Sequence, residues 1–238
     1  MQARTCGHGL FALLLDPDKK EALQPLQYLN DQVDYIFVGG STGIVSEDFI
    51  VSIRHQTALP IVLFPGSPKQ FTPSADALLF LTPMNARDAK WLIDQQVAVA
   101  PLVAQCEIDS VPTAYILIDG GRVSTTQRLM QAEPLPRTDL SRIKAYAQAA
   151  EQMGKRLIYL EAGSGAAIPV PEEVIRAVRE VTDLPLIVGG GIRTPEAMQH
   201  ALDAGADLVV IGNHFEQNPQ DLLRFKHKSK KIMNHDRR

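Results

Sequence analysis

Apolar residues gather in eight short runs: Leu10–Leu15, Tyr35–Val38, Ile61–Phe64, Ala77–Leu81, Ala114–Ile118, Leu157–Leu160, Leu186–Val188 and Leu208–Ile211. The runs are near-continuous rather than alternating, which predicts parallel strands buried on both faces. Most of the intervening segments carry helical spacing. Leu140, Ile143, Ala147 and Ala150 form one helical stripe, and Gly154 supplies its stop. Val174, Val178 and Val181 form another, led by Pro171 with Glu172 and Glu173 in the first turn. Thr194-Pro195-Glu196 reads as an N-cap, a proline at the first helical position and an acid near the positive helix end. Asn218-Pro219 repeats that signal for a last helix, and Asp18, behind Pro17, reads as the cap of the first.

Strand–helix alternation with short connections predicts a parallel α/β architecture. Eight units in 238 residues match a (β/α)8 TIM barrel, whose usual size is ~250 residues. Periodicity does not count closure, so a doubly wound open sheet stands as the alternative; the glycines concentrated after the last strands favour the barrel. Two stretches depart from the pattern. Pro65–Pro73 holds three prolines and no helical stripe, which predicts an irregular third connection. Gly120–Pro136 reads as a long loop before a helix beginning near Asp139, and long strand-end loops are often lids or binding loops. No linker or internal repeat divides the chain, so residues 1–238 are read as one domain with a basic C-terminal tail from about Lys226.

Composition narrows the function classes. Hydrophobic residues make up 45%, an ordinary globular share. A net charge of −3 gives no reason to expect nucleic-acid binding. Two cysteines, Cys6 and Cys106, lack metal-ligand or redox spacing, which fits a reducing, cytoplasmic setting. The N-terminus does not read as a signal peptide, and no apolar run is long enough to cross a bilayer.

Candidate chemistry sits where barrel strands end. Asp16, in Asp16-Pro17-Asp18-Lys19, is a hard oxygen ligand suited to Mg²⁺. Gly39-Gly40-Ser41-Thr42-Gly43 follows the second strand and offers close backbone approach and hydroxyls, a weak signal alone. In Tyr159-Leu160-Glu161-Ala162-Gly163-Ser164-Gly165, Glu161 can act as general base towards a bound alcohol, beside amides able to surround a phosphate. Gly189-Gly190-Gly191-Ile192-Arg193 and Gly212-Asn213 follow the seventh and eighth runs, where barrel enzymes often hold phosphate.

Together these motifs resemble the geranylgeranylglyceryl phosphate synthase family, which includes the bacterial heptaprenylglyceryl phosphate synthases. The first-loop Asp-Pro-Asp-Lys and the Tyr-Leu-Glu-Ala-Gly-Ser-Gly segment carry most of the resemblance. It implies transfer of a prenyl group from a prenyl diphosphate to the C3 hydroxyl of sn-glycerol 1-phosphate, in ether-lipid synthesis. By position, Asp16 and Ser41 would hold Mg²⁺ and, through it, the diphosphate. Tyr159 and Glu161 would contact the glycerol hydroxyls, with Glu161 as base. Leu160, Ala162, Gly163, Ser164, Gly165, Gly189, Gly190, Gly212 and Asn213 would complete the glycerol 1-phosphate site. Some bacterial members carry a lysine where this chain has Leu14. That departure sets the chain apart from the heptaprenyl type, and the segments after Phe64 and over Pro101–Pro136 resemble the longer archaeal-like branch. The branch implies a geranylgeranyl donor and a homo-oligomer.

Two other readings compete. A sugar-phosphate isomerase or cyclase of the histidine-biosynthesis type would use acids such as Asp16 and Asp119, but needs a first-half phosphate loop, and Pro83-Met84-Asn85 lacks glycines. A non-catalytic phosphate-ligand sensor would keep the glycine loops without needing Asp16, Ser41 and Glu161 together. The basic tail, Lys226 to Arg238, reads mainly as a solvated helix end; weak attraction to anionic lipid is the functional alternative.

Overall fold

A computed structural model describes residues 9–40 and 43–225. Eight parallel strands close into a barrel in chain order: β1 (Leu10–Leu15), β2 (Tyr35–Val38), β3 (Ile61–Leu63), β4 (Ala77–Pro83), β5 (Asp109–Leu117), β6 (Leu157–Glu161), β7 (Leu186–Gly189) and β8 (Leu208–Ile211). Closure is made by β1 against β8, with Leu10 opposite Leu208 and Leu13 opposite Ile211. β4 and β5 extend beyond their predicted runs and pair over seven positions, from Ala77↔Asp109 to Pro83↔Tyr115. No helix among the described residues is long and apolar enough to cross a membrane.

Successive strand side chains point to opposite faces. The barrel interior receives Leu10, Ala12, Phe37, Val62, Leu79, Val111, Tyr115, Leu157, Tyr159, Ile187, Leu208 and Val210 as one packed cluster. The intervening residues, among them Phe11, Leu13, Ile36, Leu160, Val188 and Val209, pack outward against the helices in a larger cluster. Both faces are therefore buried, which is why the strands read as unbroken apolar runs.

The helices are α1 (Glu47–Arg54), α2 (Gln95–Val103), α3 (Thr125–Met130), α4 (Leu140–Gln152), α5 (Glu172–Arg179), α6 (Pro195–Asp203) and α7 (Asn213–Gln217). Asp139, near which the sequence places the helix start, caps α4 through Arg142 N, and Thr194 caps α6 through Ala197 N, as its sequence predicts. The predicted stripe of α4 buries Ile143, Ala147 and Ala150. After α4, Gly154 takes φ 74°, the left-handed geometry of a helix stop.

Three connections differ from expectation. Asp18 caps no α-helix: its backbone N–H closes a turn onto Asp16 Oδ1 at 3.0 Å, and the first crossover reaches only a 3-10 turn at Gln24–Tyr28. Asn218-Pro219 likewise opens a 3-10 helix, Pro219–Arg224, without a side-chain cap. The stretch Gly120–Pro136 is not simply a loop, because Ser124 caps α3 within it through Gln127 N. The third connection is irregular as predicted, with a single 3-10 turn at Pro68–Gln70.

The segment carrying α3 is tied to the barrel by a buried side chain. Asn85 Nδ2 donates to the Leu117 and Glu133 carbonyls, each at 2.8 Å, while its Oδ1 accepts from Leu117 N at 3.0 Å. This amide takes up the Leu117 N–H beyond the end of β4 and, together with the parallel bridge of Leu135 to Ile118, fixes where the α3 segment returns.

Candidate active site

Extending each inward series by one residue places Asp16 after Leu14, Gly39 after Phe37, Phe64 after Val62, Glu161 after Tyr159 and Gly212 after Val210. All five line one cavity of about 1040 Å³, its open mouth included. The site therefore occupies the C-terminal mouth of the barrel, where the ends of different strands converge.

The floor is aromatic. Phe64 stacks on Tyr159 with ring centroids 4.8 Å apart and planes 4° from parallel, and Tyr115 tilts against both rings at 6.1 and 5.6 Å. Glu161 stands over this floor and is only 6% exposed. Its Oε1 accepts from Gly163 N at 2.7 Å, and the Tyr159 hydroxyl donates to the same carboxylate. Burial raises the carboxyl pKa to about 7 despite the opposing pull of these two hydrogen bonds. Burial, followed by the charge of Glu161, pushes the Tyr159 phenol well above its ordinary value, so it stays a donor. A carboxyl balanced near neutrality and held by a fixed phenol can accept a proton from an alcohol.

Glycine is required where β7 passes this pair. A Cβ on Gly189 would collide with the Tyr159 hydroxyl, and one on Gly190 would collide with Glu161 Oε1. The next wall is made by Ser164, Gly165, Gly190, Gly191, Ile192, Gly212 and Asn213. Gly163, Gly165, Gly190 and Gly191 take φ values of 103°, 66°, 81° and 75°, and such turns form anion-binding concavities of backbone N–H groups. Ser164 Oγ donates to Asn213 Oδ1 at 2.9 Å and joins the loop after β6 to the one after β8.

Across the cavity, Asp16 is partly buried, which raises its carboxyl pKa. A Cβ on Gly40 would strike Asp16 Oδ1, so the second-strand glycine makes room for the carboxylate. Glu216 lines the same cavity, with Lys19 Nζ 3.9 Å from its Oε2. No group of three His, Cys, Asp or Glu side chains able to cage a metal occurs among the described residues. Asp16 and Glu216 face one cavity, and one or two carboxylates suit Mg²⁺, which completes its shell with waters and substrate phosphate oxygens. Ser41 lies outside the described residues, as does the basic tail beyond Phe225.

Asp16, Tyr159, Glu161, Ser164, Gly165, Gly190, Gly212 and Asn213 thus meet at one cavity. Gly163 and Gly189 stand just behind its wall, against Glu161 and Tyr159. Leu160 and Ala162 do not line it: by strand parity their side chains point outward into the helix-facing core. Sequence reading missed Phe64, Tyr115 and Trp91, and also Thr126, Leu129 and Met130 from α3, all of which line the cavity. The segment carrying α3 reads as a loop in sequence, and neither its Ser124-capped helix nor its docking over the barrel mouth was legible there.

A second cavity of about 500 Å³ adjoins the first and shares Pro65, Gly66, Leu81, Trp91 and Met130 with it. Phe71, Leu79, Phe80 and Val99 make most of its lining apolar. The proline-rich third connection supplies one side of this annex, where a regular barrel would place a helix.

Comparison with known proteins agrees with this geometry. The family model described as the PcrB family matches residues 5–230. Over 224 residues the chain is 43% identical to the geranylgeranylglyceryl phosphate synthase of Flavobacterium johnsoniae, covering 92% of each chain. It is 41% identical over 220 residues to the protein of the same name from Korarchaeum cryptofilum, covering 90% of each. A solved structure of (S)-3-O-geranylgeranylglyceryl phosphate synthase from Thermoplasma acidophilum, in complex with sn-glycerol-1-phosphate, superposes with a TM-score of 0.83 at 34% identity and 93% coverage of each chain.

The raised carboxyl has a consequence for stability. The folded state holds the Glu161 proton up to about pH 7, whereas the ordinary value is 4.5. The folded-state advantage is therefore complete below the ordinary value and is lost as pH rises through the folded one. Glu161→Gln, which carries no charge, is expected to melt a few degrees above the wild type at pH 8. That difference should shrink towards pH 4.5; a pH-independent difference in Tm would show that Glu161 does not titrate in this way.

Proposed function

The chain belongs to the PcrB family, and from that premise we propose that it transfers a prenyl group from a prenyl diphosphate to the C3 hydroxyl of sn-glycerol 1-phosphate, releasing diphosphate, in ether-lipid synthesis. The observation that carries this reading is the placement of buried Glu161, at a pKa of about 7, between the glycine-rich loops and the aromatic floor. The loops after β6, β7 and β8 hold the acceptor phosphate through backbone N–H groups. Tyr159 and Glu161 orient the glycerol hydroxyls, and the C3 oxygen attacks the first carbon of the donor chain. The carbon–oxygen bond to diphosphate breaks with its electron pair staying on the leaving group. The hydroxyl proton passes to Glu161.

Asp16 would hold Mg²⁺ on the donor side, with Ser41 as the second protein oxygen. When bound, the ion offsets the negative charge that gathers on departing diphosphate. The apolar annex beside Trp91 is suited to the prenyl chain, and a geranylgeranyl donor is proposed. A homo-oligomer is also proposed: α2 has no buried residue and leaves Val97 63% and Leu102 46% exposed, apolar surface that a second copy would cover. Val97→Glu with Leu102→Glu should lower the mass measured by analytical ultracentrifugation; an unchanged mass would remove this surface from the assembly.

Incubation with sn-glycerol 1-phosphate and a series of prenyl diphosphates tests the reaction and the donor together. The phosphoglyceryl ether is expected, fastest with geranylgeranyl diphosphate, and absence of product from every donor would refute the assignment. The pH profile of kcat/KM should rise through about pH 7, as Glu161 loses its proton. Glu161→Gln should keep acceptor binding while turnover falls by about a hundredfold or more; an unchanged rate would remove Glu161 as the base.

The metal assignment has its own test. Asp16→Asn should shift the Mg²⁺ titration of donor binding to higher concentrations, followed by fluorescence or calorimetry without turnover. Superimposable titrations of variant and wild type would refute it.

A further inference from the structure

The loops proposed to grip phosphate pose a problem of order. Gly163, Gly165, Gly190 and Gly191 all adopt positive φ, and glycine loses more conformational freedom on ordering than any other residue. A nest of N–H groups binds an anion well only if it is held open before the anion arrives. The inner end of the first loop is held by Glu161 through Gly163 N, and its middle by Ser164 through Asn213. On its outer side, the N–H groups of Ala167 and Ile168 donate to the Gly120 carbonyl at 3.0 and 3.2 Å. What remains is the link between this loop and the one after β7.

Arg193 makes that link. Its Nη2 donates to the Ala166 carbonyl at 2.6 Å, and its Nη1 reaches the Ala167 carbonyl at 3.2 Å and the Gly191 carbonyl at 3.4 Å. One planar guanidinium therefore binds three backbone oxygens drawn from both loops, while the residue itself forms part of the cavity wall. The bonding direction matters. Carbonyl oxygens facing a bound phosphate would repel it, and a donor-only group that engages them keeps them occupied. Peptide planarity sets the N–H of Ile192 opposite to the Gly191 carbonyl held by Arg193.

We propose that Arg193 is a positioning residue for glycerol 1-phosphate: its guanidinium fixes the loops after β6 and β7 in the spacing that an incoming phosphate requires. This rests on the acceptor assignment made above and adds a determinant of acceptor affinity. The role differs from simple charge attraction, and lysine separates the two. Lysine retains the positive charge but presents a compact ammonium in place of the planar fork.

The test compares wild type, Arg193→Lys and Arg193→Gln, each first checked for native circular dichroism and Tm. Both variants are expected to raise KM for sn-glycerol 1-phosphate by about tenfold to a hundredfold. KM for the prenyl diphosphate and kcat at saturating acceptor should stay within about threefold, because Tyr159, Glu161 and Asp16 do not contact Arg193 through any of its three bonds. Restoration of wild-type KM by lysine would overturn positioning in favour of charge alone. An unchanged KM in both variants would overturn any role in acceptor binding. Amide hydrogen exchange without substrate supplies an independent readout: faster exchange at Gly163–Ile168 in both variants is expected, and unchanged exchange overturns the proposal. Should the wild type fail to use glycerol 1-phosphate, the functional reading falls while exchange still decides whether Arg193 orders the loops.

Discussion

Closing eight parallel strands on themselves forces every second side chain into a confined interior, and this constraint organises the whole molecule. Inside, Leu10, Ala12, Tyr159, Ile187 and Val210 fill the barrel. At its C-terminal rim the same parity presents Asp16, Glu161 and Gly212 to one cavity. The structural core and the candidate chemistry are thus successive levels of a single set of inward positions. A one-residue shift in β6 would exchange Tyr159 and Glu161 for Leu160 and Ala162 and abolish the site.

The acid at the centre gains its properties from this placement. A carboxylate over the stacked rings of Phe64 and Tyr159, with Tyr115 tilted against them, is deprived of water, and the two hydrogen bonds from Gly163 and Tyr159 only partly compensate. The resulting balance near neutrality lets one group be stable in either protonation state. The glycines of β7 serve the same end: their missing side chains allow backbone to approach Tyr159 and Glu161 closely. Arg193 extends this arrangement outward, because loops free of side-chain bulk need an external restraint on their shape.

The strand positions, the α4 stripe and the Thr194 cap of α6 were legible because they depend on local periodicity and capping chemistry. The acidic and glycine-rich strand ends were legible for a similar reason, since their residue types are rarely needed for packing alone. Other features had no local signal. Ser124-Thr125-Thr126 begins α3 within a segment read as a loop, and a helix of six residues leaves little periodicity to detect. Asn85, which ties that segment to β5, looks in sequence like an ordinary turn residue. Asp18 carried a plausible helix-cap pattern, yet the chain turns back onto Asp16 instead.

By itself the sequence determined the number and order of the strands, the run Tyr159–Gly165 with its acid and glycines, and the family to which they point. Those properties reside in residue identity and short-range spacing. Only the tertiary structure decided that Tyr159 and Glu161 face the cavity while Leu160 and Ala162 face the helices, since apolar runs buried on both faces conceal their own parity. It also decided that Phe64 and Tyr115 form the floor and that the third connection leaves an annex beside Trp91. Those contacts join residues far apart in the chain, and barrel closure is the physical event that brings them within reach.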